Sequence, residues 1–325
     1  MPQFTGTSDV YDLRNTEEAE TVEDIIYRLD PMDTWAYSNA RRKKVSGVKH
    51  EWLFEQLSDA TVVGVVEGDE AAFNVVTPAT RVSNDAMIMR KTVLVSDTME
   101  VVDKYGSKST AARFMLKYGL ELKRDCEKAY WGKQAHTVGA GGSARVSAGM
   151  ASMIFSNVVK CGGATGSVPG FANGVWAAPI DGTTDGSFDE ADLQSALQLA
   201  WTAGGNTELI VLGAQAKRRA AAFVGAAAFQ GFQTNQGRVA GAVISAVDVY
   251  VSDYGSHKLI LNRYSPTDTI FCIDPDYCSL GFLRPMKKVP LAKTGDATKE
   301  MLVVEFVPVC DNPNAHSQII DATFP

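Results

Sequence analysis

Two runs of alternating polar and apolar residues constrain this chain more than any other feature. From Lys43 onward, Val48, His50, Trp52 and Phe54 share one face and Lys49, Glu51, Leu53 and Glu55 the other, and the apolar run Val62, Val63, Val65 and Val66 follows. Side chains in a strand alternate between faces, so this period reads as strand rather than helix. A second run, Met87 to Val95, arrives after the turn-forming residues Ser83-Asn84-Asp85. Residues 34–95 are therefore expected to form a long β-hairpin projecting from the body. A two-stranded ribbon is only marginally stable in water, so it needs a neighbouring subunit to lie on. His50, Trp52 and Phe54 are candidates for such a contact; His50, sharing a face with two aromatic rings, reads as a packed or interfacial side chain rather than a general base.

The clearest helix follows. Ser107 or Ser109 can cap it, Ala112, Met115, Leu116, Gly119, Leu122, Cys126 and Ala129 recur at helical spacing, and Gly132 can end it. About 22 residues at 1.5 Å each give a rod of about 33 Å. Arg113, Lys117, Glu121, Arg124, Asp125 and Lys128 occupy its other side, which predicts one wet face.

Ahead of the hairpin, residues 1–33 are polar and acidic. Glu17, Glu18, Glu20, Glu23 and Asp24 lead into a short apolar pattern that Pro31 stops, which reads as an extended arm carrying one short helix. Arg41-Arg42-Lys43-Lys44 is the one basic cluster. It reads either as a solvated face or as the partner of the acidic residues Glu17, Glu18, Glu23 and Asp24 of an adjacent subunit, since complementary patches select partners.

Residues 133–187, rich in Gly, Ala and Ser, read as loops and short strands. Ser187-Phe188-Asp189-Glu190 resembles a capping box opening a helix whose Leu193, Ala196, Leu197, Ala200 and Trp201 share a face before Gly204-Gly205 stops it. A strand at Glu208–Leu212 and an Ala-rich helix from Ala214 to Val224 follow. Strands at Ile244–Val251, Lys258–Asn262, Thr269–Ile273 and Met301–Val309 complete the chain. Strands grouped apart from helices indicate an α+β fold.

Composition narrows function. The 325 residues carry a formal charge of −7 and are 45% hydrophobic, which fits a globular protein and argues against one built to grip phosphates. No apolar run is long enough to span a membrane and no secretory signal stands at the start, so no membrane partner is expected. Five scattered cysteines, Cys126, Cys161, Cys272, Cys278 and Cys310, are expected as reduced thiols. Neither Gly139-Ala140-Gly141-Gly142-Ser143-Ala144, which follows a charged helix instead of a strand, nor Cys272-Ile273-Asp274-Pro275-Asp276-Tyr277-Cys278, which lacks a second ligand pair, makes a cofactor or zinc site. The four dispersed histidines stand in no catalytic motif. Residues 181–192 place Asp181, Asp185, Asp189 and Asp192 at calcium-loop positions, but Asp192 replaces the bidentate Glu and Pro179 interrupts the helix such a loop needs. The segment reads as a turn with an acidic helix start. No catalytic residue, cofactor or metal is assigned.

Four segments taken in order resemble the tailed-bacteriophage major capsid (major head) protein family of Hong Kong 97-type fold: Glu23 to Pro31 with Thr34-Trp35; Lys49-His50-Glu51-Trp52; Arg90 to Ser96; and Ala191 to Gly205. The resemblance implies an N-terminal arm (1–33), an extended E-loop hairpin (34–95), a spine helix and the first part of a peripheral domain (96–185), an axial domain (186–265), and late strands returning to the peripheral domain (266–325). It further implies a shell of hexamers and pentamers around double-stranded DNA that is not read by sequence, a portal, optional decoration proteins, and assembly in the bacterial host cytoplasm. The look-alike segment begins about 23 residues in, so a separate scaffolding protein is expected. No Lys, Asn and Glu set for covalent crosslinking is recognisable, and non-covalent interlocking is expected. A cargo-enclosing cellular shell of the same fold is the first rival, and a soluble α+β enzyme the second.

Overall fold

A computed structural model describes residues 33–58, 60–70, 73, 78–104, 108–162, 164–182, 184–223 and 249–324. The chain enters at the short helix α1 (Trp35–Asn39), lays down β1 (Arg41–Lys44), runs out along β2 (Lys49–Phe54) and returns along β3 (Thr80–Asp85). β4 (Met87–Ser96) and α2 (Asp97–Val101) lead into the long helix α3 (Thr110–Trp131). Then come α4 (Met150–Met153), β5 (Val158–Lys160), β6 (Gly170–Ala172), β7 (Val175–Ala177), β8 (Gly186–Ser187), α5 (Glu190–Thr202), β9 (Leu209–Leu212) and α6 (Ala214–Phe223). From Val249 onward the described residues are mostly strand: β10 (Val249–Ser252), β11 (Gly255–Leu261), β12 (Ile270–Ile273), β13 (Cys278–Pro290), β14 (Ala297–Cys310), β15 (Ser317–Ile320) and β16 (Ala322–Thr323).

Two larger sheets organise these elements. One has the order β1-β13-β14-β4, with β14 antiparallel to both β13 and β4 and β1 parallel to β13. Along β4, Met87, Val93 and Val95 are buried while Ile88, Arg90 and Leu94 are exposed, so period two directs one face toward α3. Lys91 on that face reaches Asp125 (2.9 Å) and Glu121 (3.7 Å) of the helix. The Ser109 hydroxyl accepts from the Ala112 amide and starts α3, and Gly132 follows its last residue, as expected. Met115, Leu122, Cys126 and Ala129 are buried as the spacing predicts. Leu116 is instead 73% exposed, because a single α-helix on a sheet buries a stripe and leaves out the residue about 100° further round.

The second sheet has the order β10-β11-β9-β12-β15-β5. Its middle strands are buried on both faces, and their residues alternate between two cores. Ile210, Leu212, Ile270, Cys272 and Ile319 pack with Leu193, Ala196, Leu197, Ala216 and Ala220 of α5 and α6. Val211, Phe271 and Ile273 pack in the core containing Trp131 and Met153. The Trp131 and Phe271 rings lie 5.2 Å apart, so the end of α3 is seated on this sheet. Helix α5 stops in a Schellman arrangement: Gly205 N donates to Ala200 O, Gly204 N donates to Trp201 O, and Gly204 takes φ +90°, a conformation open to glycine at little cost.

Several expectations need correction. The hairpin does not use Met87–Val95 as its return strand: Lys49–Phe54 pairs with Thr80–Asp85, and Met87–Ser96 pairs with Ala297–Phe306 in the body. Ser83-Asn84-Asp85, read as a turn, is buried strand. Its polar groups are matched internally, Asn84 Nδ2 donating to Ala148 O and Pro308 O and Asn84 Oδ1 accepting from Ala148 N. The strand around Val62–Val66 is absent; strand geometry ends at Phe54. The α5 capping box is formed by Asp189 with Asp192, not by Ser187 with Glu190, and Trp201 is 61% exposed. The late strands divide between the sheets, β13 and β14 in one, β12 and β15 in the other. Residues 1–32, with the arm helix and Glu17, Glu18, Glu23 and Asp24, and residues 224–248, with the start of the expected 244–251 strand, lie outside the described residues.

Candidate inter-subunit surfaces

The ribbon is the most exposed apolar part of the described chain. Beyond Phe54, Leu57 is 92% exposed, Val62 is fully exposed, and Val63, Val65 and Val66 are each at least 74% exposed. Scattered exposed apolar side chains are ordinary, but a cluster of this kind on one projecting segment marks a binding surface. The root of the ribbon behaves differently. His50, Trp52 and Phe54 face inward, half-buried, while Lys49, Glu51 and Leu53 face out, as the period-two reading predicts. Trp52 Nε1 donates to Cys310 O (2.9 Å), and the His50 ring stacks on Trp52 at 5.5 Å. Burial holds the His50 imidazole below its ordinary pKa. These three residues fasten the ribbon to its own body.

The basic cluster is strand β1, at the edge of the four-stranded sheet. Lys43 pairs with Asp311 of the same chain, and the Arg42 guanidinium lies 5.6 Å from the Tyr37 ring and 5.9 Å from the Phe282 ring. Arg41, Arg42 and Lys44 are exposed on this edge. Edge strands present unpaired backbone groups, and charge on them is a common guard against indiscriminate pairing.

Sequence reasoning missed Glu127. Its carboxylate is fully buried and accepts from four donors: Ala36 N (3.0 Å), Tyr37 N (2.9 Å), Trp131 Nε1 (2.7 Å) and Asn262 Nδ2 (2.7 Å). Burial pushes its pKa up and the four hydrogen bonds pull the other way. The carboxylate thereby joins α1, α3 and the end of β11, and it fixes the point at which the chain enters the body, reinforced at the surface by Arg263 Nε on Asp33 (2.5 Å). The available signal was an acidic residue beside Cys126, only a few positions before the aromatic pair Tyr130-Trp131.

The aspartates of residues 181–192 go to different places. Asp189 and Asp192 cap α5, with Arg219 Nη2 donating to Asp189 Oδ1 (2.8 Å), which is the acidic helix start the sequence favours. Asp181 instead faces Lys133 (2.5 Å). Cys272 and Cys278 pack in different cores. All five thiols are free and buried, and burial pushes those of Cys126, Cys161, Cys272 and Cys278 up to about 12. Thiols in such surroundings are unreactive.

His316 carries a pH dependence. It is fully buried, its Nδ1 accepts from Asp274 N (3.1 Å), and burial lowers its pKa to about 4. The unfolded chain takes up a proton below about 6.5 and the folded chain only below about 4, so stability is lost as pH falls through that window, by about 3 kcal/mol over its full span. His50 and His257, also lowered by burial, act in the same direction. Melting temperature should therefore fall less steeply between pH 6.5 and pH 4 in His316→Asn than in the parent. Equal slopes would remove His316 from the account.

Comparison with known proteins gives a consistent result. The family model described as SU10 major capsid protein matches residues 3–323. A major capsid protein of Escherichia phage Phieco32 is 28% identical, over 90% of this chain and 91% of its own length. The subunit in the cyanophage A-1(L) capsid asymmetric unit superposes with a TM-score of 0.63 at 12% identity, covering 96% of this chain and 99% of that one. The holo-SrpI encapsulin of Synechococcus elongatus PCC 7942 superposes with a TM-score of 0.55 at 10% identity, covering 98% and 97%.

Proposed function

The chain belongs to the SU10 major capsid protein family, with the Hong Kong 97-type fold and the role of a phage shell subunit, and from that premise we propose how its copies hold together. The ribbon of residues 45–86 acts as the E-loop and lays its apolar tip on a sister subunit, while the acidic N-terminal residues Glu17, Glu18, Glu23 and Asp24 engage the β1 edge of a neighbour at Arg41, Arg42 and Lys44. Hexamers and pentamers close into an icosahedral shell without covalent links and without a catalytic site. Assembly takes place in the host cytoplasm on a separate scaffolding protein and around a portal; decoration proteins are an optional addition. Each contact is small, and closure multiplies it.

The exposed tip valines carry this reading. Charge supports it: a net −7 subunit presents packed DNA with a wall that does not bind phosphate tightly. The likeness to an encapsulin favours a second reading, a cellular shell around protein cargo, and particle contents separate the two. Electron microscopy of the full chain, expressed alone and with a candidate scaffold, should show closed shells. Replacing Arg41, Arg42 and Lys44 by Glu, with Lys43 left on Asp311, should abolish or redirect assembly while the subunit still folds. Normal shells from that variant would end the arm-to-edge pairing, and a monodisperse monomer under all conditions would end the reading as a whole.

A further inference from the structure

Asp181, Asp268 and Asp321 come together from the loop between β7 and β8, the residues before β12, and the junction of β15 and β16. One carboxylate oxygen from each lies within 4.8 Å of the others, the one such group among the described residues. Two of the three have a partner already: the Lys133 ammonium, just past the end of α3, pairs with Asp181 (2.5 Å) and with Asp268. Asp321 has none. The residue is 1% exposed, and its Oδ2 is sealed from solvent with no hydrogen-bond donor among the described residues. The carboxylate lies against Gly166, where a Cβ would come within 1.9 Å of Oδ2, so a side chain at that position would push the carboxylate aside. The Lys133 charge also acts on Asp321, but a buried carboxylate oxygen without a hydrogen-bond donor is costly. A single ammonium also leaves three carboxylates short of neutralised.

We propose that Asp181, Asp268 and Asp321 form a divalent-cation site that takes calcium. An all-oxygen donor set selects a hard cation. Calcium accepts irregular oxygen cages, whereas magnesium demands near-ideal octahedral geometry and gives up its water reluctantly, and three carboxylates drawn together from three separate segments suit the more tolerant ion. Water completes the shell on the open side, where the Asp181 side chain is 62% exposed. Lys133 gives way as the ion enters, since 2+ among three carboxylates replaces 1+ on two of them. The ion ties the loop between β7 and β8 to the ends of β12 and β15 in the six-stranded sheet. This site shares only Asp181 with the linear loop pattern of residues 181–192, and it is independent of the shell reading because it lies within one subunit.

The test is calorimetric titration of the chelator-treated full chain with calcium chloride, and separately magnesium chloride, alongside melting curves. One calcium per subunit is expected, with weaker magnesium binding and a melting temperature higher by about 5 °C at saturation. Asp321→Asn should weaken calcium at least tenfold. Should that variant fail to fold, Asp268→Asn, altering a more exposed ligand, is expected to do the same. Lys133→Gln, which removes the competitor, should tighten binding about tenfold. Absence of calcium binding in the folded parent overturns the proposal, even if Lys133→Gln binds, since the ammonium then excludes the ion from the native chain. Unchanged binding in both aspartate variants overturns it equally.

Discussion

Changing Val62, Val63, Val65 and Val66 together to Asp should leave no closed shells at concentrations where the parent assembles fully, yet move the melting temperature of the isolated subunit by less than about 2 °C. The two halves follow from one observation. These side chains are 74% or more exposed, so the folded monomer loses little when they become polar. A neighbour that covers them gains about 1.5 kcal/mol or more for each valine removed from water. Four such terms per contact exceed about 5 kcal/mol, more than a thousandfold in a pairwise equilibrium, and introduced charge adds a desolvation cost. Sedimentation and negative-stain microscopy read the assembly, and calorimetry reads the monomer. Normal shells would show that the tip touches nothing that matters. A monomer destabilised by several degrees would show that the tip packs on its own body.

The alternation that announced the ribbon was a local signal, and it located β2 because a strand with one wet face must alternate. It could not locate the return strand. Thr80–Asp85 has no alternation, since its last residues are buried and its polar groups bond within the body. Met87–Ser96 does alternate, and so drew the pairing to itself; its partner, Ala297–Phe306, lies some 200 positions further on. Pairing between distant strands is set by tertiary packing, which leaves no trace in a local window. β13 was missed for a related reason: its first four residues are buried and the remainder, including Arg284, Lys287 and Lys288, is mostly exposed or half-exposed, giving neither a continuous apolar run nor a clean period of two. The helices α3 and α5 were legible because their caps and stripes are local.

The contact surfaces were legible to the same degree. An apolar run at Val62–Val66 was visible, but whether it was a core strand or an exposed tip depended on having something to pair with, and among the described residues it has no strand partner. His50, Trp52 and Phe54 were placed on the correct face; that this face meets β14 of the same chain followed only from the Trp52 bond to Cys310 O. The Asp181, Asp268 and Asp321 cluster spans 140 positions, and no spacing rule reaches that far.

Glu127→Ala should lower subunit stability by about 3–5 kcal/mol, or roughly 5 °C in melting temperature. Removing the carboxylate returns its desolvation cost but strands four donors, Ala36 N, Tyr37 N, Trp131 Nε1 and Asn262 Nδ2, in a site closed to water. Each buried donor left unmatched costs about 1–3 kcal/mol. Glu127→Gln separates charge from shape. Its carbonyl can stand where Oε1 accepts from Ala36, Trp131 and Asn262, but its amide then faces the Tyr37 N–H, donor against donor. One failed contact predicts a loss of about 1–3 kcal/mol, smaller than that of the alanine variant. The effect should also be local before it is global, because α1 is joined to α3 through this carboxylate: amide exchange at Ala36 and Tyr37 should quicken in Glu127→Gln at temperatures where the strands of both sheets stay protected. An alanine variant melting within about 1 °C of the parent, or a glutamine variant less stable than the alanine one, would mean that the four bonds do not hold the entry helix in place.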